Sequence, residues 1–352
     1  MFSKKKLKDV FFFALRLGIA GGIIAWLVSG KTGKLVEAFE NFDLIWLVPA
    51  FALYACHLCA GSWRWKMLLD VQDAGLSYFD ALSLTMQGFF FSLVIPGGAL
   101  GGDVVKATFV AKRAGEGKKL TGVFTILIDR VIGFIALFSL AGTAGLLSLD
   151  FLASLSGFPA LVARALEVGC AVGVLAAAFL VFHRQLEKVW GVSKAIALAD
   201  KLTRGAPSRL MAAMDAFRSS WFVLIKALAL SVVFIHLQLS AVVYCVARGL
   251  GVSGIPPKIY VLATTLGNAA GSLPITPSGA GTRDTVIESL LAASGVPKGP
   301  ALATPLILTG IVLLFNLAGG IFFLASGKKR KRMEKDARGN EDPAVNSDAP
   351  AC

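Results

Sequence analysis

Charged side chains are scarce in this chain of 352 residues: they make up 16% of it, against 56% for apolar side chains. A soluble globular domain carries about 25% charged residues. The mean hydropathy of +0.72 agrees with this imbalance. The low charge excludes an ordinary soluble domain and predicts an all-α polytopic membrane protein, folded as one helix bundle.

Cysteine and histidine are also few, with five and three residues. Four of the cysteines lie in or near apolar runs, so the sequence predicts no disulfide framework. Cys56 and Cys59 have CxxC spacing, but no second pair of ligands accompanies them, and we expect a buried, inert pair. The histidines are too scattered for a metal site. We therefore predict no metal and no cofactor.

Sequence motifs of common catalysts are missing. The chain contains no Walker motif, GxSxG, HExxH or dinucleotide fingerprint. The longest predicted cytoplasmic loop, 183–219, is too short for a catalytic domain. We predict that the chain is not an enzyme and has no catalytic residues. A lipid-modifying enzyme within the membrane is the alternative, because Asp, Glu and His occur in the apolar regions.

The net charge of +13 does not indicate nucleic-acid binding, because Lys and Arg stand in short clusters between apolar runs. Such clusters mark cytoplasmic loops. The basic segment 1–9, the loop 183–219 and the cluster 328–332 predict that both termini are cytoplasmic, in the plasma (inner) membrane. We expect residues 327–352 to form a tail that begins basic and is disordered.

About 20 apolar residues cross a bilayer as a helix. The predicted full spans are 10–29 (a retained first span), 44–61, 120–147, 164–182, 220–247 and 301–326. Pro and Gly interrupt the regions 81–111 and 259–294, and loop charges place these as re-entrant hairpins that enter from opposite faces. The transmembrane domain 10–326 then contains the halves 44–147 and 220–326 as an inverted repeat, a plan common in transporters.

The two hairpins share a ten-residue pattern. PGGALGGDVV, residues 96–105, aligns without gaps on PSGAGTRDTV, residues 277–286, with five identical positions. A chance match in a chain rich in Gly and Ala is the alternative. Glycines expose backbone N–H groups, and a helix that starts after each turn directs its positive end at the bilayer centre, which suits a phosphate. Asp103 and Asp284 hold the same place in both patterns and either cap these helices or handle substrate or protons.

Charges inside apolar spans indicate function by default. Asp129 and Arg130 are adjacent, so they point to different helix faces and need separate partners. We expect Arg130 to face Asp103. Arg283 and Lys106 add cations beside the two hairpins. Structural ion pairing alone is the alternative for these charges.

Trp63-Arg64-Trp65 stands at the cytoplasmic end of the second predicted span. Aromatic residues and Arg at this level are typical of interfacial anchors. A contact with a lipid headgroup at the mouth of a cavity is the alternative.

The chain resembles the transmembrane, flippase-like region of lysylphosphatidylglycerol synthases over about residues 10–326. The resemblance rests on Arg64-Trp65 with Leu68-Leu69, Pro96-Gly97-Gly98 with Gly101-Gly102-Asp103, Asp129-Arg130 with Gly133, and Pro277 through Asp284. The family pattern has Arg near Lys106, Gly at Ser278 and Glu at Asp284. The resemblance implies binding or movement of an anionic lipid, such as an aminoacyl-phospholipid or a polyprenyl-phosphate-linked sugar. It does not imply synthase activity, because the matching residues include no synthase domain.

The sequence thus predicts an integral membrane flippase or transporter for an anionic lipid. The candidate substrate-binding residues lie in or beside the two hairpins: Arg64, Gly98, Gly101, Gly102, Asp103, Lys106, Asp129, Arg130, Gly279, Gly281, Arg283 and Asp284. The alternative is a non-transporting accessory protein that presents lipid to an envelope glycosyltransferase or a lipid-modifying enzyme. A small-solute transporter is a further alternative, because inverted repeats serve those too.

Overall fold

The structure, a computed structural model, describes residues 37–94, 99–113, 119–186, 192–203, 208, 211, 217, 220–273 and 280–339. Its helices are α1 Leu47–Val71, α2 Tyr78–Val94, α3 Ala99–Arg113, α4 Lys119–Leu146, α5 Leu149–Ser154, α6 Gly157–Leu186, α7 Val192–Thr203, α8 Trp221–Ser231, α9 Gln238–Gly249, α10 Pro257–Gly271, α11 Thr282–Ala293 and α12 Lys298–Gly339. A π-helical segment, Val232–Leu237, joins α8 to α9. The described residues include no strand, so the predicted all-α bundle is confirmed.

Four stretches of the described chain are long and apolar enough to cross a membrane. They are Leu44–Val71, Val123–Leu146, Trp221–Gly249 and Lys298–Ala325. The last three coincide with predicted spans to within three residues at each end, whereas the first starts with the predicted span 44–61 and continues ten residues beyond it. The predicted span 164–182 lies within α6. The predicted first span, 10–29, lies outside the described residues. The count of six full spans therefore stays a prediction.

Each region interrupted by Pro and Gly folds as two short helices packed side by side. We call α2 with α3 the first hairpin, and α10 with α11 the second hairpin. The longest of these helices, α2, has 17 residues. At about 1.5 Å per residue it is shorter than the ~30 Å apolar core of a bilayer. The turns 95–98 and 274–279, with the candidate residues Gly98 and Gly279, lie outside the described residues.

Local sequence explains where the hairpin helices begin. Ser77 and Asp80 form a reciprocal cap at the start of α2: the Asp80 N–H donates to the Ser77 hydroxyl, and the Ser77 N–H donates to the Asp80 carboxylate, both at 3.2 Å. The second hairpin begins with Pro257 as the first residue of α10. Proline suits that position because its missing N–H would have no partner within the helix.

The two halves of the chain pack on each other in a reciprocal pattern. α2 packs on α12, the last helix of the second half, and α10 packs on α4, the last helix of the first half. The contacts α1–α2, α3–α4 and α1–α4 have counterparts in α9–α10, α11–α12 and α9–α12, and α1 itself packs on α9. Such an exchange of contacts is what a two-fold relation between two halves requires.

Glycine allows the two helices of each hairpin to approach closely. A Cβ atom at Gly102 of α3 would lie 2.2 Å from the carbonyl oxygen of Gly88 in α2. In the second hairpin, a Cβ atom at Gly267 of α10 would lie 2.7 Å from the Ile287 side chain and 3.2 Å from the Arg283 carbonyl oxygen. Each close approach stands beside one of the paired aspartates, so the crossing fixes where the two carboxylates lie.

Replacing Gly102 with alanine should destabilise the protein. The added Cβ meets backbone, which cannot rotate away, and overpacking of this kind costs about 1–3 kcal/mol. Gly142→Ala is the matched control, because nothing lies within 4 Å of a Cβ at that helical glycine. Thermal unfolding in detergent should show a lower Tm for Gly102→Ala and an unchanged or higher Tm for Gly142→Ala. Equal stability of the two variants would contradict the close crossing.

The structure differs from two sequence expectations. α12 continues to Gly339, whereas the sequence predicted disorder from residue 327. Lys, Arg and Glu are good helix formers, and here they extend a helix that the apolar span has already nucleated. Cys56 and Cys59 are exposed rather than buried, because they lie on the face of α1 opposite the buried Tyr54 and Leu58.

Candidate functional site

Arg64 of α1 is buried and joins three helices. Its Nε lies 2.7 Å from Oδ1 of Asp129 in α4, its Nη2 lies 3.0 Å from Oδ2, and its Nη1 donates to the Ser231 hydroxyl of α8 at 2.8 Å. Two parallel charge-assisted bonds make this a strong and directional pair. Gly133, one turn beyond Asp129, leaves room for the guanidinium, since a Cβ there would lie 3.3 Å from Nη1. Arg64 is therefore part of the bundle interior, not an interfacial anchor.

Arg130 forms a second bidentate pair, with Asp103 of the first hairpin. Its Nε and Nη2 donate to the two carboxylate oxygens at 2.7 and 2.9 Å. The predicted contact between Arg130 and Asp103 is confirmed, as is the prediction that Asp129 and Arg130 take separate partners. The Arg130 side chain is 38% exposed, against 15% for Asp103. Arg130 is thus the more accessible member of the pair.

Lys106 and Trp65 lie beside these two ion pairs. The Lys106 ammonium lies 4.5 Å from the centre of the Trp65 ring, and the Trp65 indole N–H donates to the Thr125 hydroxyl at 3.0 Å. Lys106 is within electrostatic range of the carboxylates of Asp103 and Asp129. Of the three residues Trp63, Arg64 and Trp65, only Trp63 is exposed. It lies beside Tyr78, in the environment expected of an interfacial anchor.

The charges at the first hairpin do not cancel. We define the first-hairpin cluster as three cations and two carboxylates: Arg64, Lys106, Arg130, Asp103 and Asp129. One positive charge is left over within this set. Gly101 and Gly102 lie in the first turn of α3, where the first four N–H groups of a helix have no partner inside it. Excess positive charge and a helix start both favour an anion.

The second hairpin is arranged differently. The Asp284 carboxylate accepts hydrogen bonds from the Gly281 N–H at 3.1 Å, from Arg283 Nε at 3.1 Å and from the Thr309 hydroxyl at 2.9 Å. Arg283 also donates to Thr309 of α12. Asp284 is fully buried and Arg283 nearly so. Their charges cancel, and in this conformation neither is offered to a substrate.

The paired aspartates therefore have unlike roles. Gly281 takes a backbone φ of +87°, which favours glycine, and α11 starts at the next residue. Asp284 is then the third residue of α11 and caps its start, the structural alternative that the sequence left open. Asp103 lies in the second turn of α3, too far along to cap it, and pairs with Arg130 instead.

Two histidines lie close to Arg64 although the sequence showed them as scattered. His57 Nδ1 is 3.1 Å from the Ile235 carbonyl oxygen, and His236 Nε2 is 3.1 Å from the Gly133 carbonyl oxygen. Ile235 and His236 belong to the π-helical segment, a feature frequent at functional sites. Sequence reasoning missed these contacts, and those of Ser231 and Thr309, because no periodicity links residues so distant along the chain.

Comparison with known proteins places the chain among membrane proteins. The profile described as "Lysylphosphatidylglycerol synthase TM region" matches residues 13–320. A UPF0104 membrane protein of Methanothermobacter thermautotrophicus is 22% identical over 298 residues, which cover 79% of this chain and 83% of that protein. Another, from Pyrococcus horikoshii, is 23% identical over 113 residues, 32% of this chain and about a third (33%) of that protein's length. No solved structure matches the chain.

Proposed function

Because the chain belongs to the family of the lysylphosphatidylglycerol synthase transmembrane region, we propose that it is a flippase for an anionic lipid. It moves the headgroup of an aminoacyl-phospholipid or a polyprenyl-phosphate-linked lipid between the two hairpins while the apolar chains stay in the bilayer. The protein performs no covalent chemistry in this proposal. It lies in the plasma (inner) membrane with both termini in the cytoplasm, as the charge pattern indicates.

One observation supports the proposal: the five named residues of the first-hairpin cluster comprise three cations and two carboxylates inside an apolar bundle. A buried charge is costly unless it has a partner. The phosphate of a lipid headgroup balances the third cation of this set. Arg130 is the contact point, because its side chain is 38% exposed and already presents two N–H donors to the carboxylate of Asp103. A phosphate accepts the same two donors in the same bidentate geometry.

The arrangement of the hairpins supports a transport route. In the proposal they are re-entrant and enter from opposite faces, so that the two halves form an inverted repeat. The reciprocal packing, with each hairpin against the last helix of the other half, is the pattern expected for two halves that exchange roles. In this proposal the structure represents one end state of the transport cycle. The cationic first hairpin is the side that binds the headgroup, and the neutral second hairpin is closed.

Lipid translocation in proteoliposomes tests the proposal. Fluorescent phosphatidylglycerol and a labelled polyprenyl phosphate are each placed in vesicles with the full-length chain, and exposure of the label to a membrane-impermeant quencher is followed with and without a pH gradient. We expect faster exposure than in protein-free vesicles for at least one anionic lipid and none for labelled phosphatidylcholine. A rate that depends on the gradient would show proton coupling.

Two outcomes would contradict the proposal. Equal movement of phosphatidylcholine would remove the selectivity for anionic lipids that the cluster predicts. If folded protein binds but does not move either anionic lipid, the result favours a non-transporting accessory protein that presents lipid to another enzyme. Copurification of an envelope glycosyltransferase would favour that function further.

A further inference from the structure

A groove outside the two hairpins runs between α9 and α10. It has a volume of about 300 Å³ and is open toward the outside of the bundle, with mostly apolar walls formed by Leu237, Ser240, Ala241, Tyr244, Pro257, Tyr260 and Val261. Small-molecule sites span roughly 300–1,000 Å³, so this groove lies at the lower end of that range and is too small for a whole lipid. The Ser240 hydroxyl donates to the His236 carbonyl at 3.1 Å, which leaves the floor of the groove apolar in character.

Helical spacing places a cation at one end of the groove. Leu237, Ala241, Tyr244 and Arg248 recur every three to four residues, so they share one face of the helix. Tyr244 and Tyr260 meet edge to face with ring centres 5.3 Å apart. Arg248 follows one turn after Tyr244, and its charge acts on the Tyr260 hydroxyl. Both tyrosines line the groove, and helical spacing places Arg248 one turn beyond Tyr244, next to it.

Arg248 has hydrogen-bonding capacity to spare. Its Nη1 reaches the Val252 carbonyl only at 3.4 Å, and its guanidinium lies 5.7 Å from the centre of the Trp46 ring. Its Nε is buried and has no hydrogen-bond partner among the described residues. A partly exposed guanidinium whose fork of donors is only partly used is suited to a phosphate, which accepts two N–H groups at once.

We infer that this groove binds one acyl or isoprenoid chain of an anionic lipid whose phosphate contacts Arg248. The inference rests on the proposed function for the identity of the ligand as a lipid. It adds a second lipid site at the end of α9, which the charge pattern places on the external side, whereas the first-hairpin cluster lies deeper in the bundle. Trp46 and the two tyrosines supply the amphipathic rings that are enriched at the headgroup level.

Photocrosslinking tests the inference without relying on transport. Phosphatidylglycerol with a diazirine in the middle of one acyl chain is incorporated into proteoliposomes with the full-length chain, illuminated, and the labelled peptides are mapped. We expect labelling of the groove walls. Ala241→Trp, which fills the groove, should abolish it, whereas Ala165→Trp on an exposed face of α6 should not. Arg248→Gln should lower labelling about tenfold, and Arg164→Gln, at an exposed arginine of α6, should leave it unchanged.

Each outcome decides a different claim. Labelling that survives Ala241→Trp, or equal labelling by a diacylglycerol probe of the same design, which has no phosphate, overturns the inference. Labelling of the groove without any translocation supports the lipid site and contradicts the proposed flippase function. Translocation without labelling of the groove supports the flippase function and contradicts the lipid site.

Discussion

Replacing Arg64 with alanine will destabilise the protein severely, by about 3–5 kcal/mol. The substitution leaves the Asp129 carboxylate buried without the guanidinium that meets both of its oxygens. It also removes the donor to the Ser231 hydroxyl of α8, which keeps its own hydrogen bond to the Ala227 carbonyl. Thermal unfolding in detergent, followed by circular dichroism, measures the loss. The change acts on stability because the pair joins α1, α4 and α8 in the bundle interior.

Two companion variants make this result specific. Lys66→Ala removes a cation two residues along the same helix that pairs with exposed Asp70, and it should cost at most about 1 kcal/mol. Arg64→Leu combined with Asp129→Leu removes both charges together, so it should recover most of the stability lost in Arg64→Ala. A double variant as unstable as the single one would show that the cost arises from lost packing and not from an unpaired carboxylate.

Replacing Arg130 with glutamine should reduce lipid translocation at least about tenfold, since a hydrogen bond to a charged group contributes roughly 1.5–3 kcal/mol. The variant removes the half-exposed cation that presents two donors and cancels the positive excess of the first-hairpin cluster. Arg130→Lys should give an intermediate rate, because it keeps the charge but not the planar, bidentate geometry. Translocation of labelled phosphatidylglycerol in proteoliposomes measures all three rates.

A double variant separates substrate contact from structural pairing. Asp103→Asn with Arg130→Gln restores a neutral hydrogen-bonding pair and should return the thermal stability close to that of the unmodified chain. Translocation should stay low in this variant although Lys106 and Arg64 keep the excess of one positive charge, because the two guanidinium donors of Arg130 are missing. Recovery of translocation together with stability would mean that Arg130 serves only to hold Asp103 in place.

The sequence alone was sufficient for the parts of the fold that depend on hydropathy and helix geometry. Apolar runs predicted three spans to within three residues at each end, and the start of a fourth at Leu44, because charge is so scarce inside them. Adjacent Asp129 and Arg130 required different partners because neighbouring residues on a helix diverge, and this led correctly to Asp103. The partner of Asp129 could not be found, since Arg64 lies 65 residues away on another span and only packing brings the two together.

The second hairpin shows a further limit of sequence reasoning. Alignment with the first hairpin placed Arg283 and Asp284 where Gly102 and Asp103 stand, and this predicted a cation available to substrate. After the left-handed backbone at Gly281, α11 starts at Thr282, two positions later in the alignment than α3, and Asp284 becomes its cap with Arg283 held beside it. A backbone angle at one glycine thus decides whether the motif presents a charge or buries it.

The packing of α2 against α12 also has a consequence for biosynthesis. α2 is made early and inserted while the ribosome is still translating, but the helix that covers it is the last one described in the chain. Until α12 arrives, the face of α2 around Met86 and Phe90, which α12 approaches through Gly319 and Gly320, has no native neighbour. The first hairpin therefore completes its assembly only after the second half has entered the membrane, and a chain shortened before Lys298 loses native structure in its first half as well as in its second.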